Sequence, residues 1–276
     1  MSRFRLDVRL GGVKKIAVTG AAGYLGRAVS EALERRGVEA VGIVRRRGGE
    51  GQRVADLSVP EQAVRALEGI DVVVHTASSP TRDVGTETRY MANVVEAARR
   101  TGAHVVYVSI INVDRNGRHF PYYGAKYDAE QLLLRSGVPH TIQRAAQFHA
   151  FLAYLFGTVA KLPLAILPPR SAFQPIDVDA CAERLADHAA GEPLGMARDI
   201  AGPETRSGRE LFTQWARATH RNRPLIELPL PMGAFRAIAN RGAVNDQAEP
   251  LGPSFASWLA QSGGANPYDA RSAAAR

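Results

Sequence analysis

Three glycines, Gly20, Gly23 and Gly26, follow the short apolar run Ile16-Ala17-Val18 and precede a stretch of helical periodicity. Glycines at this spacing let a chain turn tightly, bring bare backbone against a ligand and pack a helix close to a strand. Together with Ala22, Tyr24 and Leu25 they would present free N–H groups at a helix start, chemistry suited to a diphosphate. A dinucleotide site is therefore expected; taken alone, the glycines also fit a packing turn without a ligand. A second apolar run, Val41-Gly42-Ile43-Val44, ends in Arg45-Arg46-Arg47, where an NAD-selecting unit would carry Asp or Glu for the ribose 2′-hydroxyl. A guanidinium there can pair bidentately with a 2′-phosphate. NADP(H) is thus expected ahead of NAD(H), with Arg45 first and Arg46 beside it, and a solvated basic loop is the alternative. Asp56 and Leu57 follow a third short run and are placed near the adenine edge. Thr76, Ala77 and Ser78 follow a fourth, where the middle of the cofactor should pass.

Other polar residues point to less. His119, His140 and His149 have no metal-ligand spacing, and no metal is expected. His75 lies inside an apolar run and reads as structural. Asp177 and Asp179 precede a helical stretch, where one of them is expected as a cap. Cys181 is the single cysteine of 276 residues, which excludes an intrachain disulfide and fits a cytoplasmic setting. The net charge is +8, yet the arginines are scattered without aromatic interleaving, so nucleic acid is not expected as a partner. The longest apolar stretch, 148–167, is broken by His149, Gly157, Lys161 and Pro163, which argues against a membrane span. The first residues show no secretory pattern.

These residues need a frame. Strand-like runs at 15–19, 38–44, 52–57, 71–75, 104–109 and 139–143 alternate with helical periodicity at 25–36, 60–67, 86–100 and 126–135. Short apolar strands between helices predict a parallel sheet covered on both faces, an α/β doubly wound sheet of Rossmann type. The alternation stops near residue 145. Helices over 179–189, 207–219 and about 232–240 predict a small C-terminal substrate lobe. The expected organisation is a dinucleotide-binding domain over 13–147, a lobe mainly over 148–260 that can return elements to the sheet, and a flexible tail over 261–276. The irregular stretch 148–173, with Phe151, Tyr154, Leu155, Phe156, Leu162 and Leu164, predicts a mostly apolar substrate pocket, or else core or dimer packing.

The stretches Val18 to Gly26, Ala55-Asp56-Leu57, Val74 to Ser78, Val106 to Ile110 and Tyr122 to Lys126 resemble the short-chain dehydrogenase/reductase superfamily. With Ile142 to Phe148 and Asp199 to Glu204, the resemblance narrows to its atypical, NmrA-like branch and covers about residues 13–260. It implies a monomeric or weakly dimeric NADP-binding protein with a variable substrate lobe. In active members a tyrosine four residues before a lysine transfers the proton, and Tyr122 and Lys126 match that pair. On a helix this spacing places both on one face. The Lys126 ammonium would lower the phenol's pKa and reach the nicotinamide ribose, leaving Tyr122 to protonate a carbonyl oxygen. Tyr123, three residues before Lys126, fits the pattern less well. The superfamily's third group is a carbonyl-polarising hydroxyl. Ser109 is the candidate, although extended members place theirs slightly beyond, where this chain has Ile110 and Ile111; Asn112 is the polar alternative. Phe148 and His149 open the lobe and are candidates for facing substrate, with a hydrogen-bonded boundary role the alternative for His149. The leading expectation is an NADPH-dependent reductase of a small or medium-sized carbonyl compound with an apolar portion. A non-catalytic NADP(H) sensor, or an isomerase or epimerase using the cofactor transiently, are the alternatives.

Overall fold

The computed structural model describes residues 14–78, 84–221, 223–229, 233–263 and 268. In chain order its first half comprises β1 (Ile16–Thr19), α1 (Tyr24–Arg35), β2 (Ala40–Val44), β3 (Gln52–Val54), α2 (Pro60–Ala66), β4 (Val72–His75), α3 (Val84–Thr101), β5 (His104–Ile110), α4 (Val113–Asn116), α5 (Pro121–Arg135) and β6 (His140–Ala145). The second half adds α6 (His149–Val159), β7 (Ala165–Leu167), β8 (Ala172–Phe173), α7 (Val178–Ala190), β9 (Gly195–Met196), β10 (Ile200–Ala201) and β11 (Arg206–Ser207). It ends with α8 (Gly208–Ala218), β12 (Leu225–Glu227), α9 (Gly233–Ala239), β13 (Glu249–Pro250) and α10 (Phe255–Ser262).

The main sheet is parallel and runs β3-β2-β1-β4-β5-β6-β10-β13, with β9 also on β6. This is the doubly wound Rossmann order, and the chain reverses direction across the sheet between β1 and β4. Side-chain alternation builds its two faces. Ile16, Val18, Val72, Val74 and Val106 pack with α1 and α7, whereas Ala17, Val73, Val105 and Tyr107 pack with α2, α3 and α5. Because the strands are parallel, β1, β2, β4, β5 and β6 all end at one edge.

The second half sends β10 and β13 back into this sheet and builds a separate aromatic core from α6, α8 and α10. Phe156 meets Phe212, Trp215 and Phe255 there at ring-centroid distances of 5.6, 6.1 and 6.4 Å. Asp177 caps α7 by accepting from the Asp179 and Ala180 N–H groups, and Ser207 with Glu210 forms a capping box on α8.

Several boundaries differ from the sequence reading. The helix expected from 126 begins at Pro121, whose missing N–H suits the first turn. Residues 149–159, expected as irregular, are helical. Gln261 and Ser262, expected in the tail, finish α10. The predicted helix start at Met232, domain start at residue 13, and tail positions 264–267 and 269–276 lie outside the described residues. Among the described residues no helix is long and apolar enough to cross a membrane.

Candidate functional site

The turn between β1 and α1 is shaped by close backbone approach. Gly20 adopts φ +69°, and a Cβ there would lie 2.7 Å from the Ala77 Cα. A Cβ on Gly26 would run into the Gly20 carbonyl, so neither position admits a side chain without moving the chain. Gly23 is the N-cap of α1 in an extended conformation, and its N–H donates to the Gly20 carbonyl at 2.7 Å. No side chain caps α1, and its first turn holds no acidic residue. Its first N–H groups and positive dipole end therefore suit a diphosphate. Ala22 is exposed on this turn, Tyr24 is half-buried and Leu25 points into the core. The residues present fit a dinucleotide.

Next along the same edge, Arg45, Arg46 and Arg47 are exposed beyond β2. The Arg45 guanidinium reaches the Tyr90 phenol on α3 and lies, with Arg89, near Asp56. Asp56 accepts from the Ser58 N–H at 2.8 Å and hydroxyl at 2.7 Å. These bonds, with Arg45 and Arg89 adding, hold its carboxyl below the usual range. Leu57 is buried, and its carbonyl accepts from the Asn93 amide at 2.8 Å.

After β4, the Thr76 hydroxyl donates to the Thr19 carbonyl at 2.7 Å and stands against Gly26. Ala77 presses on Gly20, and Ser78 is exposed with its Oγ 3.1 Å from the Tyr122 hydroxyl. Tyr122, in the first turn of α5, thus comes to the edge shared by the glycine turn and Arg45.

Lys126 follows one turn after Tyr122 on α5. Its ammonium is buried, 2.7 Å from the Glu87 carboxylate, and donates to the Val108 carbonyl at 3.3 Å. Burial alone would push this ammonium down, but Glu87, with Tyr107 and Tyr122 adding, holds it well above its ordinary range. Ser109 lies within β5 rather than at its end, and its hydroxyl is buried without a hydrogen-bond partner. Asn112 adopts φ +54° and donates to the Gly242 and Val244 carbonyls at 3.3 and 2.8 Å, so its amide ties the lobe to the sheet. His149 is 1% exposed, with Nε2 3.1 Å from the Pro253 carbonyl and its ring against Phe255 and Trp258. Phe148 is half-buried and meets the Tyr24 ring edge-on at 6.1 Å. Tyr123 accepts from the Gln147 amide at 2.9 Å.

Glu87, Thr19 and Tyr107 escaped the sequence reading. The His75 Nδ1 and Thr19 hydroxyl are 2.8 Å apart, and His75 stacks on Tyr107 at 5.7 Å. For Glu87 a signal existed: it stands four and seven residues before Met91 and Val94, on the apolar stripe of α3, where an unpaired carboxylate would be costly.

A parallel sheet of this order with a glycine turn at its switch point defines a Rossmann-type dinucleotide-binding protein. Residues 20–150 match the model of the NAD(P)H-binding family. Solved structures share its fold at under 25% sequence identity. One is the NADPH-dependent quinone oxidoreductase of Escherichia coli complexed with NADPH (TM-score 0.75, 19% identity, 89% of this chain and 99% of that one). Another is the triphenylmethane reductase of Citrobacter sp. complexed with NADP(H) (TM-score 0.72, 19% identity, 90% and 99%). In sequence, 79 residues are 37% identical to the 2-alkyl-3-oxoalkanoate reductase of Shewanella oneidensis, a match spanning 26% of this chain and 20% of that enzyme.

Proposed function

We propose that the protein is an NADPH-dependent reductase of a small or medium-sized carbonyl compound with an apolar portion. The observation that carries this reading is the Tyr122 hydroxyl, delivered 3.1 Å from Ser78 at the sheet edge that holds the glycine turn. Bound NADPH would supply the hydride. Gly20, Gly23 and Gly26 would seat its diphosphate, and Arg45 would meet the 2′-phosphate. Tyr122 would give its proton to the carbonyl oxygen, with the Lys126 charge one helical turn away favouring that transfer. Phe148, with the half-buried Phe151, Tyr154 and Leu155, would line the apolar side of the substrate site. The names of the neighbours support the same chemistry, since two are reductases or oxidoreductases solved with NADPH or NADP(H).

A second reading, a dinucleotide-responsive regulator without turnover, draws support from the buried Ser109 hydroxyl and from Ile111, which is fully buried where a second hydroxyl would be useful. A carbonyl-compound screen followed by cofactor oxidation separates the two. NADPH should outperform NADH, and Tyr122→Phe should keep NADPH affinity while losing about 10²–10⁴-fold in rate. Parent-like turnover by Tyr122→Phe would remove the tyrosine from the chemistry, and no turnover across a broad screen would favour the regulator.

A further inference from the structure

Lys126 and Glu87 lie on neighbouring helices, α5 and α3, and both side chains are almost fully withdrawn from water, at 4% and 1% exposure. The ammonium sits 4.7 Å from the centroid of the Tyr107 ring and 5.9 Å from that of Tyr122. A buried lysine is a labile cation: desolvation favours the neutral amine unless a negative charge stands against it. Another fully buried carboxylate on this side of the sheet, Glu130, is met bidentately by Arg144 at 2.9 and 2.7 Å. Arginine keeps its charge wherever it is placed, so that pair needs no help to remain ionic. The pair beneath Tyr122 instead uses the cation whose charge depends on its partner.

We infer that Glu87 is a positioning residue of the site, holding Lys126 as a cation against the Tyr107 and Tyr122 rings so that the Tyr122 phenol always faces a positive charge. As a catalytic statement this rests on the reductase reading above. The groups facing the ammonium are Glu87 from α3, Tyr107 from β5 and Tyr122 from α5 itself, with His75 from β4 close enough for its own titration to feel both charges. Glu87 touches neither substrate nor cofactor in this scheme and acts through Lys126.

The first test needs no turnover. The Lys126 ¹³Cε resonance, identified by its loss in Lys126→Met, is followed against pH in the parent and in Glu87→Gln. The parent should stay charged to at least pH 10, and Glu87→Gln should titrate lower by at least about two pH units, since full burial can move a lysine by 3–5. Coincident titrations would overturn the inference. The second test is the pH–rate profile with a substrate found by the carbonyl screen. Glu87→Gln should approach parent rates at the acid end and lose activity as pH rises through its new Lys126 midpoint, and Glu87→Asp should restore most of the parent profile. A rate loss uniform across pH would mark a merely structural role and also overturn it. Should Glu87→Gln fail to fold, Glu87→Met, which also removes the charge, carries both measurements with the same expected direction. If no carbonyl compound turns over, the reductase reading falls, and the resonance titration alone decides what Glu87 does.

Discussion

The candidate site at the sheet edge and the core of the second lobe both bury side chains, but of opposite kinds. Around the site, burial takes in Thr19, His75, Glu87, Ser109 and Lys126, each polar or charged. In the lobe it takes in Phe156, Phe212, Trp215, Phe255 and Trp258, and His149 is enclosed among them. Aromatic burial stabilises outright, whereas buried polar groups break even only when their partners are in place. The aromatic core can only hold the molecule together, whereas the buried polar groups at the sheet edge fit the site proposed above.

If that division is real, damage to the two regions should separate. Phe156→Ala should cost about 3–5 kcal/mol in denaturant unfolding. It should change NADPH affinity by less than about threefold, because Phe156 lies in the lobe's own core. A fall in affinity matching the fall in stability would dissolve the division. Gly26→Val should do the reverse. Its side chain would collide with the Gly20 carbonyl, and backbone cannot yield as a flexible side chain does. NADPH binding by calorimetry should weaken by about 100-fold or more, some 2.7 kcal/mol, while the circular dichroism of the sheet and helices persists. Parent-like affinity would mean that the diphosphate sits elsewhere.

The same contrast explains what could be read from the sequence. Strands with one residue for each face, as in Ile16-Ala17-Val18 and Val72-Val73-Val74, announce a doubly covered sheet, and glycines between a strand and a helix announce the turn. Those are local patterns. The helix α6 was hidden because it is apolar nearly all round, and Gly157 interrupts it, so it shows no stripe against a polar face. The hydrogen bonds of Asn112 and His149 go to Gly242, Val244 and Pro253, more than a hundred residues away, and no spacing reports such partners. Glu87 was visible as a charge on an apolar stripe, but its lysine partner lies 39 positions on and across a strand. The helical spacing of Tyr122 and Lys126 was legible, while the contact of the lysine with Glu87 was not.

The smallest expected effect sharpens the comparison through acid. Burial pushes His75 from 6.5 down to about 4, with Lys126 adding to that fall and Glu87 opposing it. The folded state therefore keeps the ring neutral at pH values where the unfolded chain protonates it. Its folded pKa being the lower one, the unfolded state binds the extra proton, so stability is complete above about pH 6.5 and falls as pH drops toward 4. Between pH 7.5 and pH 5 the loss from this one group should be about 2 kcal/mol. His104 and His149 are pushed the same way by burial, so the parent's total loss should be larger. His75→Phe isolates the share of the sheet-edge site, because it keeps a ring against Tyr107 and removes the titration. The Thr19 hydroxyl loses its imidazole partner but still accepts from the Ala77 N–H at 3.3 Å, so a modest loss at neutral pH is expected as well. The diagnostic quantity is the slope, measured by denaturant unfolding at the two pH values. His75→Phe should lose about 2 kcal/mol less than the parent over that interval. Equal losses would show that His75 does not titrate as its surroundings require, and that the acid sensitivity belongs to the other histidines.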